Sequence, residues 1–193
     1  MKKVVRTALI VAMLAAVIVG YFYYLSNRKL SKISSGNKTV SEYAKIKNHD
    51  FDKAYPESPR SVVKWYNRII TEYYANDHTD NEIKELASQA RKLFDDELLK
   101  ANPEDQFFDS VKSDIADYKK RKAKIVTSKV ESSNDVEYAT YQGSDVAYVQ
   151  AYYFSKEGSE YVRTYQDFCL RKTDGKWKIL TWKVVDGDPD KFD

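Results

Sequence analysis

Two runs rich in β-branched and aromatic residues flank Thr173-Asp174-Gly175-Lys176 within the stretch Tyr161–Val185. Asp-Gly between two such runs specifies a tight turn with φ > 0, which glycine adopts without strain, so the stretch predicts an antiparallel hairpin. A hairpin of this kind is marginal alone and needs further strands and a cover over its apolar face. The remainder of the chain supplies both.

From Ile125 onward the apolar period is two. Candidate strands are Ile125–Ser132, Val136–Gln142, Val146–Ser155, Tyr161–Lys172 and Trp177–Val185, punctuated by Asn134-Asp135, Gly143-Ser144, Glu157-Gly158-Ser159 and Asp174-Gly175. Before Ile125 the period is helical. Pro59–Tyr74 carries the stripe Val62, Tyr66, Ile69 and Tyr73, with Ser58 as cap and Pro59 in the first turn. Asp80–Leu99 carries Ile83, Leu86, Ala90 and Leu93 behind a Thr79/Glu82 capping box. Pro103–Lys122 carries Phe108, Val111, Ile115 and Tyr118, with Asn102 as its cap. Helices first and strands later predict an α+β fold, three helices packed on one face of a curved five-stranded antiparallel meander.

Ahead of this lies Thr7–Leu25, which contains no charge. As a helix it spans roughly 28 Å at about 1.5 Å per residue, and it ends in Tyr21-Phe22-Tyr23-Tyr24, an aromatic belt suited to a headgroup region. It reads as an N-terminal transmembrane helix, with a cleaved signal peptide as the alternative because Met-Lys-Lys precedes the apolar run. The expected organisation is a basic segment and anchor over 1–25, a polar tether over 26–58, the α+β domain over 59–186 and an acidic tail over 187–193. A short basic start before one span favours an extracytoplasmic domain on a cell membrane.

The net charge of +3 conceals an asymmetry. Seven of the 32 basic residues and none of the 29 acidic ones lie in residues 1–38, leaving 25 against 29 and a net of −4 for the rest. A mildly acidic domain is not a non-specific nucleic-acid binder. One cysteine, Cys169, excludes an internal disulfide and a multi-cysteine zinc site. His49 and His78 lie far apart, and neither a metal motif nor a Gly-rich phosphate loop is present, so no metal and no cofactor is expected. The cationic run Lys119-Lys120-Arg121-Lys122 fits the negative end of a helix dipole, or a patch for an anionic polymer or lipid. Successive residues of a helix diverge by about 100°, so Asp95-Asp96-Glu97 reads as a solvated face.

Strand alternation places Tyr161, Arg163, Tyr165, Asp167, Cys169 and Arg171 on one face and Val162, Thr164, Gln166, Phe168 and Leu170 on the other, the second set facing the helices. The third strand opposes Tyr148 and Tyr152 to Val149 and Tyr153, and Leu180, Trp182 and Val184 of the last strand oppose Ile179, Thr181, Lys183 and Val185. A sheet apolar on both faces with helices on one invites a second covering body. Tyr148, Tyr152, Tyr165, Arg163, Asp167 and Trp182 are therefore the candidate partner or ligand residues, and the expected occupant of the outer face is a second copy or a protein partner. No catalytic residue is assigned.

The order of three helices and a curved meander, ending in Asp174-Gly175-Lys176-Trp177-Lys178-Ile179, resembles the nuclear-transport-factor-2-like cone fold. With the anchor in front, the layout is similar to the inner-membrane scaffold proteins of conjugation and type IV secretion channels. Tyr55-Pro56-x-x-Pro59-Arg60-x-Val62-Val63 together with Leu93-Phe94-Asp95-Asp96-Glu97-Leu98-Leu99 resembles an uncharacterised family of short anchored clostridial proteins. The two-faced sheet behind an anchor predicts a membrane-anchored, non-enzymatic interaction or scaffold module. A small-molecule or glycan binder, with a pocket between helices and sheet, is the alternative and requires that space to be open. An isomerase or hydrolase of the cone fold requires Asp167 and a tyrosine to meet inside a cavity.

Overall fold

The computed structural model describes residues 40–75, 77–187 and 192. Among the described residues five helices precede five strands: α1 (Glu42–Lys47), α2 (Pro59–Ala75), α3 (Asp80–Arg91), α4 (Asp96–Ala101), α5 (Glu104–Lys120), β1 (Ala123–Val130), β2 (Glu137–Tyr141), β3 (Ser144–Glu157), β4 (Glu160–Thr173) and β5 (Lys176–Val185). The stripe of α2 is buried throughout, as is that of α3, and the Thr79/Glu82 capping box forms. Ser58 Oγ accepts the amide of Ser61 at 3.2 Å where α2 starts.

All strand pairings are antiparallel. The sheet order is β1-β3-β4-β5, and β2 also pairs with β3. Thus β1 and β2 run end to end along one edge of the long β3, rather than forming two rungs of a meander. The join is made by Glu131, a buried acid: its amide donates to Gln150 O at 3.0 Å, and its Oε1 accepts the Gln150 amide at 2.8 Å. A carboxylate thereby continues the ladder where β1 ends. Arg60 Nε donates to the Glu131 carbonyl at 2.5 Å and ties this join to α2. The hairpin at Asp174-Gly175 forms as predicted, with φ of 51° and 76° at the two turn residues.

The transmembrane helix expected in this fold is corrected. Among the described residues no helix is long and apolar enough to cross a membrane. The described helices are amphipathic: α2, for example, carries Arg60, Lys64, Arg68 and Glu72 between its apolar positions, which breaks any charge-free run of about 20 residues. The expected anchor Thr7–Leu25 lies outside the described residues, as do its basic start and residues 26–39 of the expected tether. The described residues form an α+β fold with a five-stranded antiparallel sheet, and no helix among them supplies the membrane-crossing, single-pass layout.

Residues 41–58 do not read as a tether. Ser41 caps α1 by accepting the Ala44 amide at 3.2 Å, Ile46 and Phe51 are core residues, and Tyr55 donates to the Trp177 carbonyl at 2.8 Å. Gln89 of α3 donates to Lys47 O at 2.6 Å and to His49 O at 3.3 Å. Three anchoring side chains spaced five and four apart show no helical or strand period, which hid this segment from pattern reading.

The expected helix Asp80–Leu99 is broken after Arg91. Leu93–Asp95 instead pairs with the open edge of β5: Ile179 N donates to Leu93 O and Asp95 N to Ile179 O, each at 2.8 Å, in a parallel bridge. An uncovered edge strand is a template for unwanted pairing, and this three-residue patch closes it. Asn102 ends α4 rather than capping α5. It precedes Pro103, whose ring disfavours helical φ/ψ at the residue before it, and Pro103 takes the cap position.

Candidate functional site

Five of the six residues singled out from the sequence share the outer face of the sheet. The register pairs Tyr152 with Tyr165, Gln150 with Asp167 and Tyr148 with Cys169. The Tyr152 and Tyr165 rings lie 5.8 Å apart, and the Arg163 guanidinium sits 4.8 Å over Tyr152. Asp167 accepts Gln150 Nε2 at 2.8 Å. Much of this face is covered by the chain's own side chains. Phe192 packs on Tyr152 at 4.8 Å and on Tyr165 at 5.8 Å and is only 7 % exposed, and Lys129 Nζ donates to its carbonyl. Phe192 lies in the expected acidic tail; residues 188–191 and 193 of that tail lie outside the described residues. Gly187 faces the Tyr165 ring so closely that a Cβ there would overlap it. Tyr161, 58 % exposed and stacked on Phe154, and Tyr148, 43 % exposed, remain open.

Trp182 is on the other face. A bulge opposite Cys169/Leu170 inserts Leu180, so Ile179 and Trp182, three apart, both face the helices. Trp182 packs against Tyr66 at 5.4 Å and Phe94 at 5.8 Å. The apparent two-faced apolarity of the last strand is this change of register. Asp167, bonded on the outer face, does not meet a tyrosine inside a cavity.

Between α2, α5 and the sheet lies a cavity of about 300 Å³, at the small end for ligand pockets. Tyr66, Tyr73 and Tyr74 line it from α2, Phe107, Asp114 and Tyr118 from α5, and Tyr153 and Trp182 from the sheet. Gln166, Thr164, Asn102 and Ser110 add polar groups. The rings are fixed by their neighbours. Tyr153 donates to Asn67 Oδ1 at 2.5 Å, and Tyr74 stacks on Tyr118 at 4.0 Å. Tyr73 is 1 % exposed and its hydroxyl has no hydrogen-bond partner among the described residues. Burial holds the phenols of Tyr66, Tyr73 and Tyr153 well above the usual value, so all three are neutral O–H groups.

Among the described residues Asp114 is the one charged residue lining this cavity. It is exposed at the cavity rim, and partial burial, then the Asp117 carboxylate, push its carboxyl above the ordinary aspartate value. No basic side chain pairs with it among the described residues. Two other grooves, of about 450 and 430 Å³, differ in kind. Their charged residues are largely engaged already: Arg68 with Glu42, Arg60 with the Glu131 carbonyl, Lys129 with the Phe192 carbonyl and Lys178 with the Lys92 carbonyl.

Asp95 is not a solvated helix residue. It is 1 % exposed, caps α4 by accepting the Glu97 amide at 3.0 Å, and receives Arg171 Nε and Thr173 Oγ1 at 3.1 Å each. Cys169 is free, and burial pushes its thiol up, the reverse of an activated nucleophile. Among the described residues no group of three or more His, Cys, Asp or Glu side chains is placed to hold a metal ion.

The cavity-lining rings were legible as helix stripe and strand residues but not as a cavity. The available signal was the tyrosine content of α2 and α5, since a phenol on a core stripe needs a polar outlet that a leucine does not.

No curated protein matches the chain. A solved structure described as "Crystal structure of intermembrane space region of chloroplast protein ARC6" aligns at 14 % identity over 72 % of this chain and 99 % of that one, with a TM-score of 0.39, too low to argue from. These comparisons lend no support to the cone-fold or secretion-scaffold resemblance, or to a clostridial origin. Residues 1–182 match the family described as "Domain of unknown function (DUF6715)", and the chain belongs to that family.

Proposed function

We propose that the protein is a non-enzymatic binding module that takes a small ligand into the cavity between α2, α5 and the sheet. One observation carries this: the cavity is open rather than filled by side chains and is lined by aromatic rings. The test is a small-molecule screen by protein-observed NMR on the full chain and on Ser110→Trp. Ser110 is exposed and lines the cavity, so an indole there occludes it without disturbing the core. Shifts confined to the lining residues and lost in Ser110→Trp support the reading. Shifts that map elsewhere and persist in that variant contradict it.

A second reading, association with a further copy or a protein through the outer sheet face, is favoured by the exposed rings of Tyr161 and Tyr148. Sedimentation of wild type against Tyr161→Ser/Tyr148→Ser tests it: a concentration-dependent dimer weakened by the substitutions supports it, and a monomer at high concentration contradicts it.

A further inference from the structure

The geometry points to an organic cation, an alkylammonium of choline size, as the class of ligand that this cavity takes, with Asp114 as its counter-ion and the rings of Trp182, Tyr66 and Phe107 as its walls. This rests on the cavity reading above and adds the chemistry of the occupant.

Charge is the first ground. The lining holds one ionisable acid and no Lys or Arg. Arg121, which sits 4.7 Å over Tyr118, is held by Asp117 and Glu157 and is not a lining residue. An anionic ligand would meet the Asp114 carboxylate with no cation in the lining to offset it. Asp114 is exposed at the rim of this lining and has no basic partner among the described residues, so its carboxylate is free to face a cation that enters.

The walls are the second ground. Aromatic faces carry negative quadrupole potential, and a cation within about 6 Å of a ring centroid is attracted more strongly once desolvated. Tyr66, Phe94 and Trp182 form one connected set of rings at 5.4 to 5.9 Å, and Phe107 joins it through Phe94 at 5.4 Å. Such a wall suits methylated nitrogen, which presents diffuse charge on an apolar surface. Size is the third ground, since a cavity of about 300 Å³ accommodates a small ligand and not an oligosaccharide or a peptide segment.

The experiment titrates the full chain with tetramethylammonium, choline and the neutral isostere 3,3-dimethyl-1-butanol, following the Trp182 indole N–H by NMR with Trp182→Phe for assignment. Choline and tetramethylammonium are expected to saturate the signal with affinities at least about tenfold above the isostere. Asp114→Asn is expected to lower the affinity for both cations by about tenfold while leaving that for the isostere unchanged. Equal binding of the isostere overturns the cation class and leaves the cavity reading standing. Cation binding that survives both Asp114→Asn and Ser110→Trp places it outside the cavity and overturns the proposal. If neither cation moves the signal, the cation class fails, and the screen above decides the cavity separately.

Discussion

Arg171 and Asp95, 76 positions apart, form a charged clamp that fixes the α3–α4 junction to the sheet. Arg171 reaches from β4, past β5, to a carboxylate that the Leu93–Asp95 bridge holds against the β5 edge. Glu97 binds the same guanidinium at 2.8 Å. Removing one member of a buried pair leaves the other uncompensated. Arg171→Met is therefore expected to cost about 3 kcal/mol or more in urea unfolding. Asp95→Asn keeps an N-cap oxygen and is expected to cost less, about 1–2 kcal/mol. Equal, near-zero effects would show that the clamp contributes nothing.

The same pair sets an acid limit. Burial alone would raise the Asp95 carboxyl, but the Arg171 guanidinium, the Glu97 amide and the Thr173 hydroxyl outweigh it and hold the carboxyl below the ordinary value. A depressed folded-state value means stabilisation that is complete above the unfolded value of about 3.9 and lost as pH falls through the folded one. Unfolding free energy measured from pH 7 to pH 2 is expected to fall more steeply below pH 4 in wild type than in Asp95→Asn. Parallel curves would remove Asp95 from the acid response.

Glu131 makes a separate, local prediction. Its Oε1 is the acceptor for the Gln150 amide where the β1 ladder stops. Glu131→Ala strands that buried donor and is expected to cost about 1–3 kcal/mol. Amide exchange at Gln150 should accelerate more than at Ala151 or Tyr153, and uniform acceleration along β3 would contradict the local role.

Tyr73→Phe probes the unpartnered hydroxyl. Removing a buried, unsatisfied O–H without altering the ring is expected to leave the ligand-free protein unchanged or more stable by up to about 1 kcal/mol. Destabilisation by more than about 1 kcal/mol would mean that the hydroxyl already has a partner.

The periodic parts of the chain could be read directly. Val62, Tyr66, Ile69 and Tyr73 announced α2, and Asp174-Gly175 announced the hairpin, because local sterics and one buried face decide both. Three features could not be read, each because a tertiary partner overrides the local pattern. Asp95 looks like one acid of a solvated run until Arg171 arrives from far along the chain. Leu93–Asp95 continues a helical period yet leaves the helix to pair with Ile179. Trp182 changes face because Leu180 bulges, and a one-residue insertion reverses every inside–outside assignment beyond it. The cavity was equally hidden, since lining rings and packed rings share the same sequence pattern.

The central claim is that the space between α2, α5 and the sheet is a ligand site, and a crystal structure of the full chain grown with choline tests it most directly. Density for the trimethylammonium group is expected within about 6 Å of the Trp182 and Tyr66 ring centroids, with the Asp114 carboxylate facing it. A cavity closed by its own side chains, or choline bound only elsewhere, would contradict that claim.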